Sequence, residues 1–296
     1  WSMIDKITPR PDASVKKMLE DAGFTDTESI VTSKNTYVAP FVNAEEAQYL
    51  VIENAFPNGR PALENAGVMF TSRETVEKVE RMKVCTCLNP LHTALAVYGC
   101  LLGYTKISDE MKDADLVKLV EIIGYKEGLP VVTDPGILSP KKFIDEVLQI
   151  RVPNPFMPDT PQRIACDTSQ KLSIRFGETI KEYMASSELD VKSLKFIPMV
   201  QAGWCRYLLG VDDELNAFTV SPDPMYEELA GKLAGVKVGE SCDVHAVLSP
   251  ILSDAKIFGV NLYEAGLGEY VESIFAELIA GKGAVRETLK RHLAEA

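Results

Sequence analysis

With 296 residues, 46% hydrophobic and 25% charged, the chain is long enough to bury one large core or two modest ones. Its 43 acidic against 31 basic residues leave a formal net charge of -12, which repels polyphosphate backbones and anionic lipid, so nucleic acid and membrane are poor partners. Six cysteines stand in apolar stretches without paired spacing and no secretory signal is recognisable, so reduced thiols in a cytoplasmic protein are the expectation.

The chain opens Trp1-Ser2-Met3-Ile4-Asp5-Lys6-Ile7-Thr8-Pro9-Arg10, with no initiator methionine. Pro9 and Pro11 bar a regular helix or central strand there, so residues 1–28 are expected to be a crossing segment of a chain that starts in mid-protein. Short strand candidates follow at 29–32, 36–41, 49–53 (YLVIE) and 67–71 (GVMFT), with turn signals such as Pro57-Asn58-Gly59-Arg60-Pro61 between them. They predict a small sheet over about 29–72. From Arg73 onward the apolar period turns helical, at 74–83, 89–102, 108–123, 140–149, 160–174, 178–187, 226–233, 242–248 and 262–293 with a break at Gly281 and Gly283. Strands first and helices afterwards describe a mainly α domain over 29–296 with a small β element near the N-terminus. The longest apolar run, 93–104 (TALAVYGCLLGY), falls short of the roughly 20 residues that cross a bilayer and reads as a buried helix. The polar, proline-marked stretch 211–224 reads as a surface loop.

Chemistry concentrates in the run from Glu80 to His92. A lysine can give or take a proton, and an amide with an imidazole can hold an oxygen on which charge develops, so Lys83, Asn89 and His92 suit metal-independent alcohol–carbonyl chemistry. Each has a plainer reading. Lys83 closes the charged helix EKVERMK, where a solvated lysine suits the macrodipole. The apolar residues 84–88 point the other way, because an ammonium at the edge of such a pocket has its charged form disfavoured. Asn89 before Pro90 is a normal N-cap and N1 pair, and a lone His92 on an apolar helix suits a hydrogen-bonded core residue. Asn89 and His92, three apart, share a helical face. A second cluster has Arg163, Asp167 and Lys171 at spacings of four, followed by Arg175. It is either an ion-pair ladder, worth a few tenths of a kcal/mol per pair, or a cationic wall for hydroxyls or a carboxylate.

No metal is expected: Cys85-x-Cys87 lacks a second pair, no His-x-x-x-His occurs, and His245 and His292 stand apart from other ligands. Gly266-Leu267-Gly268 lacks the third glycine and a preceding strand, and no Gly-x-Gly-x-x-Gly occurs elsewhere, so the pyrophosphate-binding turn of a nicotinamide cofactor is missing from this chain.

These residues resemble the polyol-specific long-chain dehydrogenase/reductase family, the mannitol dehydrogenases and their sugar-acid relatives. The resemblance runs from Trp1 almost to the C-terminus, through Ser2-Met3-Ile4-Asp5-Lys6-Ile7-Thr8-Pro9, Val51-Ile52-Glu53, Gly59-Arg60-Pro61-Ala62-Leu63-Glu64, the 83–92 run and Asp167-Thr168-Ser169-Gln170-Lys171, in that order. It implies a multi-helical domain like the C-terminal part of 6-phosphogluconate dehydrogenase, working against an N-terminal Rossmann domain of the same protein that binds NAD or NADP. It also implies roles: Lys83 as general acid/base, Asn89 and His92 as the oxygen-holding pair, and Glu80 as a carboxylate near the lysine. Asp5, Arg163 and Lys171 become substrate contacts, with Arg175 a further cation beside them, and Ile4 and Asp5 could touch the cofactor. The implied reaction interconverts a keto sugar acid and its alcohol, fructuronate and D-mannonate first, a polyol and ketose of the mannitol type second. Outside enzymology, a non-catalytic sugar-binding or assembly domain would carry the same residues.

One departure bears on Lys83. Family members place four residues between the lysine and the asparagine, whereas this chain has five. At about 100° per residue, the familiar spacing sets lysine and histidine about 80° apart and the extra residue moves them to about 180°. A break or π-bulge between Lys83 and Pro90 is predicted to absorb it, since Pro90 cannot donate to the Thr86 carbonyl.

Overall fold

The computed structural model describes residues 1–4, 13–28, 30–31, 37–38, 49–155, 157 and 159–296. Among these residues there are five short strands: β1 (Ser2–Met3), β2 (Ile30–Val31), β3 (Tyr37–Val38), β4 (Leu50–Glu53) and β5 (Met69–Thr71). β1, β4 and β5 form one sheet in that order, β1 antiparallel to β4 with Ser2 opposite Val51, and β4 parallel to β5 with Ile52 opposite Phe70. β2 and β3 make a separate antiparallel pair. Each of the four expected strands has a counterpart among the described residues, and β1 adds an edge; Pro9 and Pro11 lie outside the described residues.

The rest is helical: α1 (Ala13–Asp21), α2 (Arg73–Met82), α3 (Asn89–Leu101), α4 (Ile107–Glu110), α5 (Ala114–Glu121), α6 (Pro140–Glu146) and α7 (Pro161–Ile164). Then come α8 (Glu178–Ala185), α9 (Phe196–Tyr207), α10 (Tyr226–Leu233), α11 (Val244–Leu252), α12 (Ala255–Phe258), α13 (Gly268–Leu278) and α14 (Ala284–Ala294). The domain is therefore mainly α with a small sheet near its N-terminus. Caps explain the starts. Ser72 accepts from Thr75 N ahead of α2, Asp113 from Asp115 N ahead of α5, and Asp243 from Ala246 N ahead of α11. The Asp113 cap divides the helix expected over 108–123 into α4 and α5.

Two expectations fail. Residues 160–174 are not one helix: α7 ends at Ile164, Asp167 takes a left-handed φ of 51°, and a 3-10 turn follows. α9, with Phe196 through Tyr207 all buried, has no counterpart in the sequence reading. Its residues are apolar nearly all round, so no amphipathic period marks it.

Among the described residues four π-helical turns interrupt the helices, at Lys83–Cys87, Ile122–Gly128, Val147–Arg151 and Ser173–Gly177. Glycine lets two of them pack closely. A Cβ on Gly128 would lie 2.9 Å from Thr86 Cγ2, and one on Gly177 would lie 2.2 Å from the Phe258 carbonyl oxygen. The first π-turn joins α2 and α3 into one helical stretch, Arg73–Leu101, apolar enough to cross a membrane by composition but with 89% of that window buried in the protein. It is the central core helix, packed by α9, α7 and α5.

Candidate active site

The site is built on that central helix. Leu88 N donates to Lys83 O at 3.1 Å, an i to i+5 bond, and His92 N donates to Leu88 O at 3.0 Å. Such a turn holds one residue more than an α-turn, so the nine steps from Lys83 to His92 rotate about as far as eight α-helical steps, roughly 80°. The extra residue between Lys83 and Asn89 is thus taken up as the spacing required.

Lys83 is 8% exposed. Its surroundings differ from the apolar pocket expected. Nζ donates to the Met3 carbonyl of β1 at 2.9 Å and pairs with Glu80 Oε2 at 2.9 Å. The same Glu80 oxygen accepts from Ser2 Oγ at 2.7 Å, and Ser2 Oγ is hydrogen-bonded to the Tyr49 hydroxyl at 3.0 Å. An ammonium has three donors, so one remains uncommitted among the described residues. Glu80, with 46% of its side chain exposed, connects the lysine to solvent.

Asn89 is not an N-cap. It is the first residue of α3, Leu88 takes the cap position, and no side chain caps the helix. Its side-chain amide has no hydrogen-bond partner among the described residues, while its carbonyl accepts from Thr93 Oγ1 at 2.9 Å. His92 is 7% exposed, with Nε2 3.9 Å from Asp159 Oδ2. Burial draws the imidazole from its ordinary 6.5 to about 4; Asp159 opposes this, and Arg151, Arg175 and Arg163 add to it. His92 is therefore neutral at pH 7, with one ring N–H to donate and one nitrogen to accept. Between about 4 and 6.5 the unfolded chain binds a proton that the folded chain does not, so this residue's contribution makes stability fall as pH drops through that window. Acid unfolding of His92→Gln is expected to be shallower there than that of the unmodified protein. Parallel curves would contradict the shift.

The cationic cluster is arranged differently from a ladder. Arg163 pairs back to the buried Asp159, and neither Asp167 nor Lys171 continues the row. Lys171 Nζ donates to the Cys166 carbonyl, and its pKa is lowered by burial and then by the Arg175 charge. Arg175 Nη1 donates to Thr93 Oγ1 at 2.6 Å, which brings it within a turn of Asn89. Asp5 lies outside the described residues, and Ile4 is buried at the end of β1. Sequence reasoning passed over two neighbours of His92, the buried Arg151 and Asp159. The available signal was an arginine set in the apolar stretch 147–153, since arginine is seldom fully buried without a purpose. Lys83, Arg151 and Arg175 all ride on π-turns, a device that recurs at functional sites.

The glycines at 266 and 268 serve packing. A Cβ on Gly268 would lie 2.4 Å from the Tyr263 ring, and no strand precedes them. Among the described residues no three His, Cys, Asp or Glu side chains gather as a ligand set.

The chain is similar to known proteins in sequence and in fold. The family described as Mannitol dehydrogenase C-terminal domain matches residues 75–274. The chain is 60% identical over 294 residues to a D-mannonate oxidoreductase of Thermotoga maritima, covering 98% of this chain and 54% of that protein. It is 31% identical over 266 residues to a mannitol 2-dehydrogenase of Aspergillus niger, covering 87% of this chain and 50% of that one. Among solved structures, a Pseudomonas fluorescens mannitol 2-dehydrogenase in ternary complex with NAD and D-mannitol superposes with a TM-score of 0.74 at 25% identity, over 99% of this chain and 54% of that one. The chain spans about half the length of the curated relatives it matches. With 200 of its 296 residues inside the matched region and the fold shared, the chain belongs to the mannitol dehydrogenase C-terminal domain family.

Proposed function

We propose that the chain is the catalytic and substrate-binding part of a nicotinamide-dependent oxidoreductase that interconverts a keto sugar acid and its alcohol, fructuronate and D-mannonate before a neutral ketose and polyol. The carrying observation is Lys83, buried on a π-turn with two donors committed, just ahead of an Asn89 amide without a partner among the described residues and a neutral His92. The 60% identity to a D-mannonate oxidoreductase supports the sugar-acid choice.

The described residues supply no glycine-rich turn for a pyrophosphate, so NAD or NADP is assigned to an N-terminal Rossmann domain of the same protein. Hydride is that cofactor's contribution. This chain's share is proton transfer and charge stabilisation. In the reductive direction the ketone oxygen takes hydrogen bonds from Lys83, the Asn89 amide and His92, and as negative charge builds on it Lys83 gives up its proton. Glu80, open to solvent and held by Ser2, is the group through which the lysine recovers one.

In the full-length protein, kcat/KM for fructuronate reduction is expected to exceed that for fructose by at least about tenfold, or about 1.4 kcal/mol of transition-state binding. Equal or better efficiency with fructose would favour a mannitol-type 2-dehydrogenase instead. Activity is also expected to survive dialysis against a strong chelator, because the lysine performs the proton chemistry that a zinc-bound water performs elsewhere. Loss on chelation with recovery on adding zinc would contradict that assignment.

A further inference from the structure

Arg175 occupies the middle of the π-turn 173–177 and is half-buried. Among the described residues its one hydrogen bond goes from Nη1 to Thr93 Oγ1 at 2.6 Å, and Thr93 donates in turn to the Asn89 carbonyl at 2.9 Å. A guanidinium presents five donors in one plane, and the other four meet no acceptor there. No acidic side chain pairs with it among the described residues. Arg175 is not among the residues with a solvent-sealed, unsatisfied side-chain atom, so its Nε and Nη2 keep accessible surface.

A cation taken out of water costs several kcal/mol unless an anion meets it. Burial already pulls the guanidinium down to about 10. The neighbours deepen the deficit, since Lys171 is cationic and is disfavoured by Arg175 itself. Arg163, an expected substrate contact earlier in the chain, is in a different state, because the buried Asp159 carboxylate already occupies it. Of Arg163, Lys171 and Arg175, Arg163 alone has a carboxylate partner among the described residues, and Arg175 is the one tied through Thr93 to within a turn of Asn89.

We propose that Arg175 is the receptor for the substrate carboxylate, positioned by Thr93. Thr93 lies four residues after Asn89, about 6 Å along the helix, so one sugar-acid chain can present its carbonyl to Asn89 and its carboxylate to Arg175. The fork geometry suits a carboxylate bidentately, whereas a hydroxyl at the same place leaves the half-buried charge uncompensated. The assignment rests on the keto sugar-acid reading above and names the residue that makes it specific.

The test uses the full-length protein with R175Q and R175K, a keto-hexuronate and fructose as substrates, and D-gluconate as a competitive carboxylate probe. R175Q is expected to lower kcat/KM on the keto acid by about a hundredfold or more, about 2.7 kcal/mol, while fructose turnover stays within about threefold. Gluconate inhibition should weaken in parallel. R175K, which keeps the charge and loses the fork, should lose about tenfold on the acid alone, and it carries the comparison if the melting curve shows R175Q unfolded. Equal losses on both substrates, or no loss on the acid, would overturn the proposal. A wild-type preference for fructose with gluconate inhibition that still depends on Arg175 would sink the keto-acid reading and leave the carboxylate receptor standing.

Discussion

Replacing Lys83 by alanine in the full-length protein is expected to lower turnover by about a hundredfold or more, the usual scale for removing a general acid/base. The fold should survive. Lys83 meets a half-exposed Glu80 and one backbone carbonyl, so the change breaks one solvent-screened ion pair and one hydrogen bond instead of opening the core. Lys83→Arg separates charge from chemistry, since a guanidinium keeps its proton at any working pH and cannot supply it to an alkoxide. Arginine should therefore retain substrate affinity better than alanine and restore little turnover. The measurement is kcat at saturating substrate across pH, with a melting curve for each variant. Near-normal turnover in Lys83→Ala would remove the lysine from the mechanism and, with it, the reason for the π-turn that carries it.

That π-turn shows what one sequence can and cannot disclose. The register problem between Lys83 and Asn89 was legible because it required only counting along a helix, and the i to i+5 bond from Leu88 to Lys83 resolves it. The turns that carry Arg151 and Arg175 had no comparable signal, since nothing in VLQIR or SIRFG conflicts with an ordinary α-helix. At the second of these turns a tertiary contact goes with the distortion: at Gly177 the backbone comes close enough to Phe258 that a side chain would collide. The same limit explains the ladder that failed. Spacing placed Arg163, Asp167 and Lys171 on one face, but Asp167 turns left-handed and donates its N–H to the Pro222 carbonyl, a partner that is remote in sequence. Amphipathic elements such as α10, found over the residues expected, were readable because each declares its buried face locally. α9 does not, and what starts it lies 68 residues upstream.

That starter is Glu127, and Glu127→Ala is expected to destabilise the full-length protein by about 3 kcal/mol or more. The carboxylate, 5% exposed, accepts from Lys195 N at 2.6 Å, Phe196 N at 2.8 Å and Ile197 N at 2.7 Å, the first amides of α9. No residue of α9 itself caps them. An alanine would leave three orphan donors facing a cavity that water enters only partly, and each unsatisfied buried donor costs about 1–3 kcal/mol. The negative charge lost at the helix N-terminus adds to this. Glu127→Gln, which keeps one acceptor oxygen and turns an NH2 toward the remaining N–H groups, should fall between the two. The consequence reaches the site, because Gly203 of α9 lies against Val97 and Tyr98 of α3, the helix that presents Asn89 and His92. Denaturant midpoints at constant slope give the measurement. A loss below about 1 kcal/mol for alanine would mean that solvent satisfies the start of α9 and that Glu127 is not what holds it.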